Sequence, residues 1–105
     1  MSMAYKVLLE TTAALDLRGI FAYIADVLKQ PETAKRILVS IEAQVMTLDQ
    51  MPARHRVVRD EKYAALGMRM LPVEGYTAFY VIDEPTRTVH VLRILYNRRN
   101  WQRLL

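Results

Sequence analysis

The chain has 105 residues, 25% of them charged, with a formal net charge of +4 and no cysteine. That length fits one domain, residues 1–105, with a single core and no room for a second. The missing cysteines exclude a disulfide framework, a thiolate nucleophile and a Cys-based zinc site, in keeping with a reducing cytoplasm. No stretch has the length and apolarity of a membrane span or the pattern of a signal peptide, so the expected protein is soluble and intracellular, with no membrane partner.

Residues 4–10 read as a short strand. Thr11 or Thr12 then offers a hydroxyl to the free amides of a following helix, with Asp16 in its first turns. Leu17, Ile20, Phe21, Ile24 and Leu28 fall on one face at helical spacing. Pro31 ends that helix and suits the first position of another, followed by Glu32 with the charge that position favours. The second helix carries Ala34, Ile37, Leu38, Ile41, Val45 and Leu48, so the two helices form an antiparallel hairpin or a sharp elbow.

Pro52 closes the helical half, and the period shifts toward strands. Residues 56–59, 68–73, 76–82 and 88–95 are short and rich in β-branched or aromatic side chains. Glu74 with Gly75, and residues 83–87, supply turns of hairpin length. Pro72 lacks a ladder donor, which assigns its strand an interruption or an unpaired side. Residues 97–105 allow a helical turn or two, with Trp101 and Leu104 or Leu105 packed on the body. The expected fold is α+β: an N-terminal strand and a two-helix hairpin packed on a four-stranded, mainly antiparallel sheet with a short C-terminal helical tail.

Charge is divided unevenly. Residues 1–50 hold five Lys/Arg against six Asp/Glu, whereas residues 51–105 hold ten against five, and nine of those ten cations are arginine. A guanidinium is a planar fork matched to phosphate or carboxylate, so the basic half reads as a contact surface for an anion. Arginines that merely keep a half-exposed sheet wet are the plainer reading. Residues 88–104 concentrate the feature, with an apolar strand, a tyrosine and an arginine cluster in one segment.

Several pieces recur in order: residues 14–17 with 20–24, Pro31 with Ala34, Leu48 with Met51 and Pro52, Gly67 with Arg69, Tyr76 with Phe79 and Tyr80, and Arg93 with Tyr96, Arg98, Arg99 and Trp101. From about Tyr5 to Leu104 this arrangement resembles the RelE/ParE superfamily, the toxins of bacterial type II toxin–antitoxin systems. The resemblance implies a growth-inhibiting toxin silenced by a cognate antitoxin, a small DNA-binding protein with an acidic or disordered tail. It implies one of two actions: ribosome-dependent cleavage of messenger RNA, the first expectation, or ParE-like inhibition of DNA gyrase by binding alone.

Metal-independent RNA cleavage requires a base, a cation at the scissile phosphate, an acid for the leaving oxygen and a geometry that aligns them. By resemblance Arg69 and Arg93 are the phosphate-binding arginines, and Tyr96 is the C-terminal tyrosine of the nuclease branch. Glu61 is the candidate acid/base, and Arg59, Lys62, Arg98 and Arg99 are candidates for holding nucleic acid or another target. No metal and no cofactor are expected. The sequence departs from one nuclease branch, which carries histidine where this chain has Leu95. Strict strand alternation also sends Arg93 and Tyr96 to opposite faces unless a bulge or the strand end intervenes. His55 and His90 read as a loop and a strand residue, Tyr76, Phe79 and Tyr80 as core and sheet aromatics, Trp101 as a tail anchor, and Met68 and Met70 as gap fillers or groove lining.

Overall fold

The computed structural model describes residues 4–97 and 101–105, the side chain of Gln102 apart. β1 (Lys6–Leu9) leads into α1 (Thr11–Ala22), and α2 (Pro31–Met46) follows after a connecting turn. A short α3 (Glu61–Ala64) precedes β2 (Arg69–Val73), β3 (Tyr76–Asp83) and β4 (Thr88–Tyr96). The four strands form one sheet in the order β1-β4-β3-β2, parallel between β1 and β4 and antiparallel elsewhere. The expected α+β architecture and its mainly antiparallel sheet are therefore what the chain adopts.

Two clusters of buried side chains lie on the sheet. One joins Ala13 and Leu17 of α1 and Ile41 and Val45 of α2 to Leu71, Val73, Ala78, Tyr80, Val89, Val91 and Ile94. The other gathers Val58, Tyr63, Met68, Phe79 and Leu95, with Trp101, Leu104 and Leu105 packed against it. The tail thus anchors where expected, through one 3-10 turn over Trp101–Arg103. Trp101 lies 5.0 Å from the Phe79 ring and 5.9 Å from that of Tyr63, centroid to centroid.

Pro31 occupies the start of α2, where its missing N–H breaks no helical bond. The start of α1 differs from expectation. Glu10 is its N-cap residue and makes no side-chain cap bond. The Thr12 hydroxyl instead donates to the Leu92 carbonyl at 2.6 Å, tying α1 to β4. Beyond Ala22 the helix widens to a π turn over Tyr23–Val27, closed by a Leu28 N–H to Tyr23 carbonyl bond of 3.0 Å. Leu28, expected inside, is 48% exposed, and Lys29 at φ 58° ends the helix.

Residues 56–59 do not form the expected strand. They contribute a single bridge, Val57 to Arg69, flanked by Val58 N–H to the Met68 carbonyl and Met70 N–H to the Arg56 carbonyl. Asp60 caps α3 by accepting from the Lys62 and Tyr63 amides, and the chain turns there instead of extending. Pro72 sits exposed on β2, an edge strand where its missing donor is harmless. Glu74 at φ 56° and Gly75 at φ 83° make the two-residue hairpin turn between β2 and β3, both left-handed as that tight connection requires.

The β3–β4 ladder shifts register once: Phe79 pairs with Arg93 and Tyr80 with Val91, so Leu92 is an inserted residue. This bulge precedes Arg93, so Arg93 and Tyr96 keep the opposite faces that alternation assigns them. Val89 and Val91 face the helices before it, and Ile94 still faces them after it.

Candidate target-binding surface

β1 ends opposite Val91, leaving β4 with an open edge beyond that point. Asp16, one turn and a half into α1, fills the gap. Its Oδ2 accepts from the Ile94 N–H at 2.9 Å and from Arg93 Nε at 2.7 Å, and its Oδ1 accepts from Arg93 Nη2 at 2.9 Å. The carboxylate supplies the acceptor that a neighbouring strand would have given. Arg93 also donates through Nη1 to the Leu104 carbonyl, so one guanidinium joins helix, strand and tail. Hydrogen bonding to Asp16 raises the Arg93 pKa further, despite the opposing effect of partial burial.

Beyond the clamp, β4 delivers Tyr96 to the rim of a groove of about 880 Å³. Its walls include Leu15, Ile20 and Tyr23 on one side and Tyr76, Ile94 and Tyr96 on the other. Tyr76 and Tyr96 are cross-strand partners whose rings meet edge-on at 5.5 Å. Burial, then the nearby Tyr96 and Tyr23, hold the Tyr76 phenol above its usual pKa, so it stays a neutral donor. Tyr23, 54% exposed, and Leu15, 55% exposed, leave the groove with an apolar lip. At the far wall Glu74 bonds Arg36 at 3.2 Å, and hydrogen bonds from Ser40 and Arg36 hold its carboxyl below the usual range.

Tyr96 also borders a second, smaller groove of about 210 Å³ that includes Arg56, Met70, Phe79, Asn97 and Trp101. The tyrosine stands between an apolar recess and a recess with a cation on its edge.

The other candidates are dispersed. Arg69 donates through Nη1 to the carbonyls of Ala53 at 3.1 Å and His55 at 2.6 Å, pinning the loop before α3. It pairs with Tyr80 on β3, whereas Tyr96 pairs with Tyr76. Four residues along a strand, about 13 Å, and two strand spacings across, about 9.5 Å, separate Arg69 from Tyr96 in the sheet. Glu61 and Lys62 are exposed on α3, the Lys62 ammonium 5.4 Å from the Tyr63 ring centre, and Arg59 is exposed just before it. Arg98 and Arg99 lie outside the described residues.

Neither histidine joins Tyr96. His55 packs edge-on against Tyr80 at 6.4 Å, and burial followed by the nearby Arg54 lowers its pKa. His90 contacts Glu10 through Nδ1 at 2.6 Å. Among the described residues no group of three or more His, Cys, Asp or Glu side chains is arranged to hold a metal, and no helix is long and apolar enough to cross a membrane. The residues that sequence reading undervalued are Asp16, Tyr23 and Arg56. Asp16 stood out only as a favourable charge near a helix start, because its partner is 77 positions away.

Comparison with known proteins agrees with this arrangement. A family model, the ParE toxin of the type II toxin–antitoxin system parDE, matches residues 7–101. A structure described as the chromosomal ParDE TA system from P. aeruginosa superposes with a TM-score of 0.74 at 26% identity, covering 90% of this chain and 98% of that one. The toxin–antitoxin complex RelBE2 from Mycobacterium tuberculosis gives a TM-score of 0.66 at 27% identity, covering 90% and 99%. No curated protein matches by sequence. A strand, a helical hairpin and a bulged three-strand meander, matched along nearly the whole length, establish that the chain belongs to the ParE toxin family of type II toxin–antitoxin systems.

Proposed function

We propose that this toxin acts by binding, as a ParE-like inhibitor of DNA gyrase, and not by cleaving RNA. One observation carries the reading: Arg69 and Arg93, the two arginines expected to bind phosphate, are committed to the fold. Arg93 spends its fork on Asp16, and Arg69 donates to two loop carbonyls well away from Tyr96. Tyr96 has another tyrosine as its ring partner, and a second phenol is a poor proton acceptor at neutral pH. Aromatic rings and an apolar lip suit a protein contact, with the exposed cations of the basic half at its margin.

A cognate antitoxin completes the proposal, supported by the pairing of both structural relatives with antitoxins. Its acidic or disordered tail lies in the tyrosine groove and covers Tyr96, leaving gyrase no surface to engage.

The test is induction of the chain alone in a bacterial host. Expected are a DNA-damage response, intact translated messages and loss of supercoiling by purified gyrase on addition of the protein. Messages cut on the ribosome within minutes, with gyrase unaffected, overturn the reading in favour of an endoribonuclease using Tyr96 with Arg56 or the tail arginines. Coexpression with the antitoxin relieves the growth arrest under either action, so it tests the pairing separately.

A further inference from the structure

The sheet's two edges are treated differently. β2 is protected, bridged by Val57 and interrupted by Pro72. β1 is open: no described strand pairs with its outer side. Its parallel ladder directs the Lys6 and Glu10 amides to the carbonyls of Arg87 and Val91, each at 2.9 Å. By the alternation of that ladder Val7 and Leu9 turn their N–H and C=O groups outward. Cover begins only at Tyr5, whose amide donates to the Asp49 carbonyl at 2.8 Å. Leu8 and Leu9, 37% and 38% exposed, add apolar area to this edge, and Leu9 borders a shallow apolar recess with Leu17, Phe21 and Leu38. An unpaired strand of this kind is a template for another strand.

The sequence of the edge chooses the partner. Residues 6–10 read Lys-Val-Leu-Leu-Glu. Laid antiparallel to a second copy about Leu8, Lys6 falls opposite Glu10, Val7 opposite Leu9 and Leu8 opposite itself. The same register brings the outward backbone groups of Val7 and Leu9 face to face, giving four main-chain hydrogen bonds, with Leu8 at the non-bonded position where side chains approach most closely. Pairing stops at Glu10, opposite Lys6, one residue short of the covered position. Glu10 offers one oxygen to His90, and Lys6 makes no ion pair among the described residues, so both can take part in the cross-copy pair.

We infer that the chain self-associates through β1 into a two-fold dimer with a continuous eight-stranded sheet, the register set by Lys6–Glu10 pairs at either end. This surface is separate from the tyrosine groove and does not depend on how the toxin acts.

Analytical ultracentrifugation of the purified chain across concentration tests it. The wild type shifts reversibly toward twice the 12.2 kDa monomer mass. Lys6→Glu, which sets two carboxylates face to face at both ends, weakens association about tenfold, and the Lys6→Glu/Glu10→Lys exchange restores it. Hydrogen exchange on the unaltered protein gives a check free of folding effects: the Val7 and Leu9 amides slow as concentration rises. A wild type that stays monomeric, an unaltered dimer in Lys6→Glu, or fast Val7 and Leu9 exchange within the dimer each overturns the inference. Protection of those amides only on adding antitoxin also overturns it, assigning the edge to a strand of that partner.

Discussion

Replacing Asp16 with alanine is the most incisive perturbation of the proposed surface, because one carboxylate holds three donors. The Asp16 and Arg93 side chains are 15% and 25% exposed, which places the pair between a solvated surface bridge and a fully buried one. Exposed pairs contribute up to about 1 kcal/mol, whereas removing one partner of a buried pair costs about 3–5 kcal/mol. The substitution strands the guanidinium with the Leu104 carbonyl alone and removes the acceptor of the Ile94 amide. A loss of about 3 kcal/mol is expected, at the lower end of the buried range, which lowers the Tm of a chain this size by about 12–20 °C. Urea unfolding of Asp16→Ala, Arg93→Ala and the double variant isolates the pair. The expected coupling is about 2 kcal/mol and changes little between low and moderate salt. Coupling below about 0.5 kcal/mol, or coupling abolished by moderate salt, refutes the claim that Arg93 is committed to the fold and returns it to the pool of phosphate ligands.

Tyr96→Phe is expected to retain growth inhibition within about threefold, since a binding surface uses the ring, whereas Tyr96→Ala loses about tenfold or more in half-maximal gyrase inhibition; a Phe variant as inactive as the Ala variant contradicts a binding-only role. Tyr80 is fully buried, its pKa pushed up to about 12 chiefly by burial, and its hydroxyl donates to the Pro52 carbonyl at 2.6 Å. Tyr80→Phe strands that carbonyl and costs about 1–2 kcal/mol by urea denaturation. His55 is held below its ordinary pKa of 6.5, mainly by burial, so as pH falls through 6.5 the unfolded chain takes up a proton before the folded one. Stability is therefore full above that pH and declines below it. His55→Gln flattens this part of the stability profile, and an unchanged profile assigns the acid sensitivity to other groups.

The helical hairpin and the meander were legible because they rest on local rules. Apolar spacing marked Leu17, Ile24, Ile41 and Val45, Pro31 marked a helix start, and Glu74 with Gly75 marked a hairpin turn. The misreadings come from side-chain bonds to the backbone, one distant and one local. The Thr12 hydroxyl leaves its own helix for the Leu92 carbonyl, and residues 56–59 lose a strand's pairing to the turn that Asp60 caps. The site was harder still. Arg69, Arg93 and Tyr96 were chosen by residue type and order, and neither can reveal that Asp16 engages one arginine and loop carbonyls another. The opposite facing of Arg93 and Tyr96 was readable from alternation, and the bulge at Leu92, which lies before both, was not.

That extra residue in β4 also governs which changes of chain length this architecture can absorb. Deleting Leu92 would close an uninterrupted ladder in which Arg93 still pairs with Phe79, so Ile94 would stay in the helical core, Leu95 in the opposite layer and Tyr96 beside Tyr76. A residue gained or lost in the turn at 83–87 would leave all three where they are. The strand can therefore lose its inserted residue, whereas losing a residue between Arg93 and Tyr96 would move the tyrosine to the opposite face of the sheet.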